Sequence, residues 1–441
     1  MHLRRFVFTV ACVSVASVFA MGQQPDLSGN WVVSADVFGT TIYLPMDLKQ
    51  TGNAVAGRYG GDKITSGELR DGALHLIARS RDGSTTEVSA KLSGATLTGS
   101  TVQTDPEDKN HPAKYSFTAA RATRIEHRAP QRHEFTPTVF YRQFSPANKP
   151  VLTIAPGDSV DTTTVDAGGT DANGVRRVLG GNPETGPFYV EGAWPGDTLV
   201  VHIVKLRLNR DYAVSDDFLD ESAENSDLAV MMKGTGKTIR WHLDQEKGIA
   251  YPEGAGPNLR NYSVPLKPML GCMATALPPA AAPPPTGDSG GYGGNMDFNE
   301  IGEGATVYLP VWNPGALLYL GDAHAEQGDG ELNGNALETS AEVEFSVDVI
   351  PGTHLHGRRI ETPTHIITMG LSASIGDALK DATDAMAKWL NEDYSLTPSE
   401  TAQVLGTAAE YEVSEVADRN SGVVLKINKQ RLTGLVKKDK P

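Results

Sequence analysis

At 441 residues the chain is too long for one ordinary core, so two or three domains are expected. An apolar content of 39% with 21% charge is that of a folded globular protein, and 46 glycines with 27 prolines favour short strands and turns over long helices. The formal charge of −15 excludes a nucleic-acid binder and disfavours an anionic membrane surface.

The chain opens as a secretory signal, with Arg4 and Arg5 ahead of the apolar run 6–19 and the cleavage pattern Val18-Phe19-Ala20. The run is short for a bilayer span, which needs about 20 apolar residues. Residues 1–20 are therefore expected to be removed, and the mature protein is expected to be periplasmic or extracellular. Cys12 leaves with the signal; Cys272 remains alone, so no intramolecular disulfide is available.

From 23 to 120 short alternating runs separated by Gly, Asn and Asp, such as Thr41-Ile42-Tyr43-Leu44 and Ala73-Leu74-His75-Leu76-Ile77, predict a small antiparallel β-barrel or meander. Gly29-Asn30-Trp31 and the Gly-x-Leu repeats at 67–69 and 72–74 resemble lipocalin-like modules, which bind an apolar ligand or serve as docking domains. Residues 104–112 read as a long hairpin loop, and 121–132 as a basic linker. The second unit, 133–435, is again strand-rich, with turns at Pro156-Gly157-Asp158 and Pro195-Gly196-Asp197. A stiff Ala/Pro connector (278–285) and a glycine-dominated loop (287–294) follow. Helical spacing appears only near the end: Ile375, Ala378, Leu379, Ala382, Met386 and Leu390 define one helix, and Thr397, Pro398 and Glu400 cap a second.

The densest chemistry lies between Leu317 and Glu331. Leu318, Leu320, Asp322 and His324 share parity, so a strand running through them places Asp322 and His324 on one side. A carboxylate and an imidazole so placed can share a divalent metal, or the carboxylate can orient the imidazole. Asp329 and Glu331 repeat the spacing after a turn, although Gly-Asp-Gly-Glu is also ordinary hairpin or calcium-loop chemistry.

Five segments together resemble the acetamidase/formamidase family: residues 182–193, Pro195-Gly196-Asp197-Thr198-Leu199, Gly294-Asn295-Met296-Asp297, residues 321–331, and Glu361-Thr362-Pro363-Thr364-His365. The resemblance spans about 135–430. It implies hydrolysis of the C–N bond in short linear amides, a β-rich fold, a homo-oligomer and metal ions near the site. The expected fold is thus β-rich α+β: the N-terminal barrel or meander, then a β-sandwich-containing acetamidase/formamidase-like domain with C-terminal helices. Carried over by the resemblance, Asp297, Asp322 and His324 become the metal ligands, with Asp166 as a fourth. Asp329, Glu331 and Glu191 become the acid–base candidates, and Asn295, Gln327 and Tyr292 the substrate contacts. The cofactor expected is a divalent metal, zinc with calcium as the alternative; the partner is a small amide.

Asp166 reads equally as a solvated strand end, Glu191 needs a partner beside its apolar run, and His365 reads as a satisfied core histidine. The chain departs from the family pattern where Tyr292-Gly293 replaces a frequent histidine, around Leu270-Gly271-Cys272-Met273-Ala274, and at 278–285. Two look-alikes are set aside. Gly287-Asp288-Ser289-Gly290-Gly291 matches a chymotrypsin-like nucleophile motif but lacks the His and Asp segments that chemistry needs. Cys272 lacks the Glu and Lys contexts of a nitrilase nucleophile and reads as a buried thiol. The rival to an enzyme is an exported binding protein that keeps the fold without turnover.

Overall fold

The computed structural model describes residues 25–438 apart from 126, 127, 255, 353, 354 and 356. The signal expected at 1–20 lies outside the described residues.

The N-terminal unit is a closed antiparallel barrel of eight strands, from Gly29–Val37 to Ala113–Arg121, in which each strand pairs with the next and the first pairs with the last. Closure requires tight bends, and glycines supply them. A Cβ on Gly57 would lie 1.9 Å from the Asp47 carbonyl oxygen, and one on Gly99 2.2 Å from that of Ser89. Trp31, Met46, Leu48, Leu74, Leu76, Leu97 and Phe117 fill the interior as one apolar cluster. The hairpin loop expected at 104–112 joins the last two strands, Thr96–Thr104 and Ala113–Arg121.

Several described residues in and around the basic stretch after the barrel tie it to the second unit. Arg124 pairs with Asp197, the Trp194 indole donates to the Thr123 carbonyl, and Arg128 and His133 both engage the buried carboxylate of Asp158. Burial works to raise the Asp158 pKa, but His133, the Ala155 and Gln131 N–H groups and Arg128 outweigh it and hold it below the usual value.

Beyond 132 the chain forms two large sheets, of twelve and nine strands, with one apolar core between them. Phe188, Leu270, Leu318 and Leu320 enter that core from the first sheet; Leu199, Val201, Val343, Phe345 and Val424 enter from the second. The outer face of the nine-stranded sheet is covered by helix Ile375–Tyr394, which buries Ala382, Met386, Trp389 and Leu390. Ser374 caps its start, and Ser395, in the left-handed region, ends it. The second helix, Pro398–Ala408, carries the expected capping box between Thr397 and Glu400. A short helix at Ser226–Met231 was not expected. Among the described residues no helix is long and apolar enough to cross a membrane.

Candidate metal centre

The twelve-stranded sheet presents its chemistry along strand Leu318–His324, which pairs with Met269–Thr275, Glu184–Val190 and Glu338–Thr339. Asp322 and His324 lie at its end, both buried, with His324 Nε2 3.6 Å from Asp322 Oδ2. Asp297 arrives from the loop after strand Gly293–Asn295. One ligand atom each from Asp297, Asp322 and His324 lie within 4.8 Å of one another, and so do those of His324, Glu331 and Glu338. His324 Nε2 stands 3.2 Å from Glu338 Oε1.

Room for these groups is made by glycine. A Cβ on Gly271 would lie 2.4 Å from Asp297 Oδ1 and 2.7 Å from Asp322 Oδ2; one on Gly321 would lie 2.4 Å from Glu184 Oε2. Asp297, Asp322 and Glu331 hold φ of 39°, 52° and 45°, a region that side-chain-bearing residues enter rarely. The turn N–H of Ala336 donates to Glu331 Oε1 and helps to hold that carboxyl inward.

Side-chain amides position the ligands. Gln327 Nε2 donates to the carbonyls of Asp297 (2.6 Å) and Ser414 (3.1 Å), which leaves Oε1 to accept from His324 Nδ1 at 2.9 Å. Nδ1 thereby carries a proton, and Nε2 faces the carboxylates. Asn295 Nδ2 donates to Asp297 and to Asp418, while Asn182 bridges Asn295 Oδ1 and Asp322 Oδ2.

Five acidic side chains, those of Glu184, Asp297, Asp322, Glu331 and Glu338, are buried around one imidazole. Desolvation, then Glu331 and Asp322, push Asp297 well above its usual range; desolvation and Asp322 do the same to Glu184. Burial raises Glu331 to about 8 and Glu338 to about 7, although His324 opposes both shifts. For His324 burial acts downward, but Glu338 and Asp322 overcome it and the imidazole is held well above its usual value. Among the described residues, Asp297 Oδ1, Asp322 Oδ1, His324 Nε2, Glu338 Oε2 and both Glu184 oxygens find no hydrogen-bond partner. Such orphaned acceptors are costly when buried and are the donor set of a divalent cation. Two ligands of a tetrahedral zinc stand about 3.3 Å apart when each bond is about 2.0–2.1 Å. His324 Nε2 stands 3.6 Å from Asp322 Oδ2 and 3.2 Å from Glu338 Oε1, on either side of that value. The residues fit a metal.

The expected site residues divide. Asp297, Asp322, His324, Glu331, Asn295 and Gln327 come together, the last two holding ligands in place. Asp166 is next to Glu338 but is committed elsewhere: Oδ2 pairs with buried Arg210 at 2.8 Å and Oδ1 accepts the Thr170 N–H. Asp329 is exposed and bonded to Asn299, because the chain from Gly328 turns through positive φ at Gly330 and Glu331 and strand parity ends there. Glu191 lies past the far end of strand Glu184–Val190, about 23 Å along from Glu184 at about 3.3 Å per residue. Tyr292 belongs to an aromatic cluster with Phe144 (ring centroids 5.5 Å) and Tyr319. His365 is half-buried on the other sheet beside Thr364, not in the core. Ser289 Oγ finds no partner among the described residues, and Cys272 is buried with its thiol pKa raised by desolvation and by Glu184.

Sequence reasoning missed Glu184, Glu338, Asn182, Glu415 and Asp418. Glu338 is the register partner of His324 across fourteen residues. Asn182 and Glu184 sat inside a motif already noted, but the choice there fell on Glu191. Glu415 and Asp418 come from the C-terminal hairpin, where no motif marks them; burial raises them to about 9 and about 6. Beside the centre opens a cavity of about 300 Å³ that Glu331 and Gln327 border.

The chain matches the Acetamidase/Formamidase family over residues 280–369, a span containing Asp297, Asp322, His324, Glu331 and Glu338. It is 26% identical over 286 residues to an acetamidase of Mycolicibacterium smegmatis, covering 52% of this chain and 70% of that one. A formamidase of Methylophilus methylotrophus is 26% identical over 254 residues, 45% of this chain and 61% of that one. Among solved structures, a predicted acetamidase/formamidase from Thermoanaerobacter tengcongensis superposes with a TM-score of 0.60 at 27% identity, covering 69% of this chain and 98% of that one. An acetamidase from Yersinia enterocolitica gives 0.60 at 27% identity, covering 69% and 94%. Family match, curated relatives and solved structures together support the acetamidase/formamidase family for this chain.

Proposed function

We propose that the protein is an exported amidase that hydrolyses the C–N bond of linear amides, using water activated at a divalent ion, zinc by preference. The observation that carries this reading is the convergence of Asp297, Asp322 and His324, with unpartnered donor atoms, beside a cavity bordered by Glu331. Relatives named for acetamide and formamide hydrolysis support the reaction class.

An amide resists water because its resonance must be broken and its amine leaves poorly. Asp297, Asp322 and His324 would hold the ion, which would lower the pKa of a water towards about 7 and polarise the carbonyl. Glu331, at the border of the cavity, would accept the proton lost by the attacking water and return it to the departing nitrogen. One water is consumed and one carboxylate and one ammonium ion are formed. Gln327 keeps the imidazole in the tautomer that presents Nε2. Asn295 and Asn182 hold the two aspartates.

Replacing His324 by Ala is expected to abolish bound metal and ammonia release together. A variant that keeps full activity would remove His324 from the mechanism. Export rests on the pattern at 1–20 and is tested by N-terminal sequencing of the mature protein. The homo-oligomer is tested by light scattering.

A further inference from the structure

The cavity at Glu331 is several times larger than the amides after which the relatives are named. It encloses about 300 Å³, whereas acetamide, with four heavy atoms, fills on the order of 90 Å³ if it occupies the space of about three waters. Trp241 and Tyr262 line it, their rings 6.2 Å apart at 69°. The Trp241 indole N–H is bound to Ser215 Oγ at 2.9 Å, which fixes that ring. Leu219 and Val264 add apolar wall. Glu326 also borders the space, and its buried Oε2 finds no hydrogen-bond partner among the described residues. Lys267 acts on Glu326 from a distance, but its ammonium is bonded to Asn299. Among the described residues, no Lys, Arg or His lines the cavity.

We propose that the preferred substrate is a primary amide with an apolar acyl group that bears an amine, of the size of an aromatic α-amino acid amide. This inference rests on the amidase reading and adds the substrate class to it. The carboxamide lies at Glu331, the ring packs against Trp241 and Tyr262, and the ammonium meets the Glu326 carboxylate. An aromatic ring buried between aromatic walls and a cation on an acidic wall are each favoured over solvent.

The test is ammonia release by the metal-loaded full-length mature protein from acetamide, phenylacetamide and phenylalaninamide. Wild type, Trp241→Ala and Glu326→Gln are compared, with thermal melts of each and calorimetric binding of 2-phenylethylamine. The expected kcat/KM rises about tenfold from acetamide to phenylacetamide and again to phenylalaninamide, increments of the size that single pocket contacts supply. Trp241→Ala shrinks the first step, Glu326→Gln shrinks the second, and both weaken 2-phenylethylamine binding while the melts stay near wild type. Acetamide as the best substrate, or variants that lower all three amides in equal proportion, overturns this inference and leaves the amidase reading standing. Silence on all three amides by protein that has bound its metal overturns both.

Discussion

Gly271→Ala is the most direct probe of the centre. The glycine lies mid-strand with ordinary backbone angles, so the substitution acts by bulk alone. Its new methyl would stand 2.4 Å from Asp297 Oδ1 and 2.7 Å from Asp322 Oδ2, inside a carbon–oxygen contact distance of about 3.2 Å. Relief requires the two carboxylates to retreat by roughly half an ångström or more, whereas metal–ligand distances tolerate about 0.2 Å. Zinc affinity is therefore expected to fall about 10- to 100-fold, the range seen when groups that orient ligands are disturbed. That is about 1.4–2.7 kcal/mol. The metal-free protein should lose about 1–3 kcal/mol from overpacking. Competition with a chromophoric chelator measures the first quantity, and denaturant unfolding with and without zinc measures the second. Gly99→Ala is the control: its methyl would stand 2.2 Å from the Ser89 carbonyl inside the barrel, so it should destabilise comparably and leave zinc affinity alone. Wild-type zinc affinity in Gly271→Ala, or an equal loss in Gly99→Ala, would refute the cradle.

In the metal-free protein, stability should fall as pH rises from 5 to 9. Glu331 (about 8), Glu338 (about 7), Glu415 (about 9) and Asp418 (about 6) all titrate above their usual range, so the folded state binds protons more tightly. The resulting stabilisation is complete below about pH 4 and is lost as pH climbs through those values; saturating zinc, which needs deprotonated ligands, should reverse the slope. Melting curves across pH, with chelator and with zinc, check the sign, and a rising slope in chelator would count against the buried acidic set. Asp166→Asn should cost about 3 kcal/mol by stranding the buried Arg210 charge, towards the low end because Arg210 also bonds Thr339 and the Tyr212 and Glu338 carbonyls. Zinc stoichiometry measured alongside should not change; a lost equivalent would restore Asp166 as a ligand.

Features with a local period or a local cap were legible in the chain. Helix Ile375–Tyr394 announced itself by spacing, helix Pro398–Ala408 by Thr397, Pro398 and Glu400, and the Asp322/His324 pair by strand parity. Long-range pairing was not legible. Strand alternation predicted the N-terminal strands but left barrel and meander open, since closure depends on the pairing of Trp31 with Arg121 and its neighbours, ninety residues apart. The same limit hid Glu338, which meets His324 only through strand register. Asp329 and Glu331 were treated as equals because parity was extended through a turn, and the turn inverts one of them. The resemblance pointed to the right block at 182–193, yet only the opposing Gly321 explains why Glu184 can enter the interior.

The positive φ at Asp297 and Asp322 bears on how substitutions at the centre are to be interpreted. Alanine at either position removes a ligand and also places a residue that dislikes that backbone region, so lost activity would mix coordination with misfolding. Asparagine tolerates the left-handed region better and keeps the side-chain shape, which makes Asp297→Asn and Asp322→Asn the cleaner probes of charge. Glu331 shares the unusual backbone but has no such near-isosteric, turn-loving substitute, so for it Gln with a matched unfolding curve is the interpretable choice.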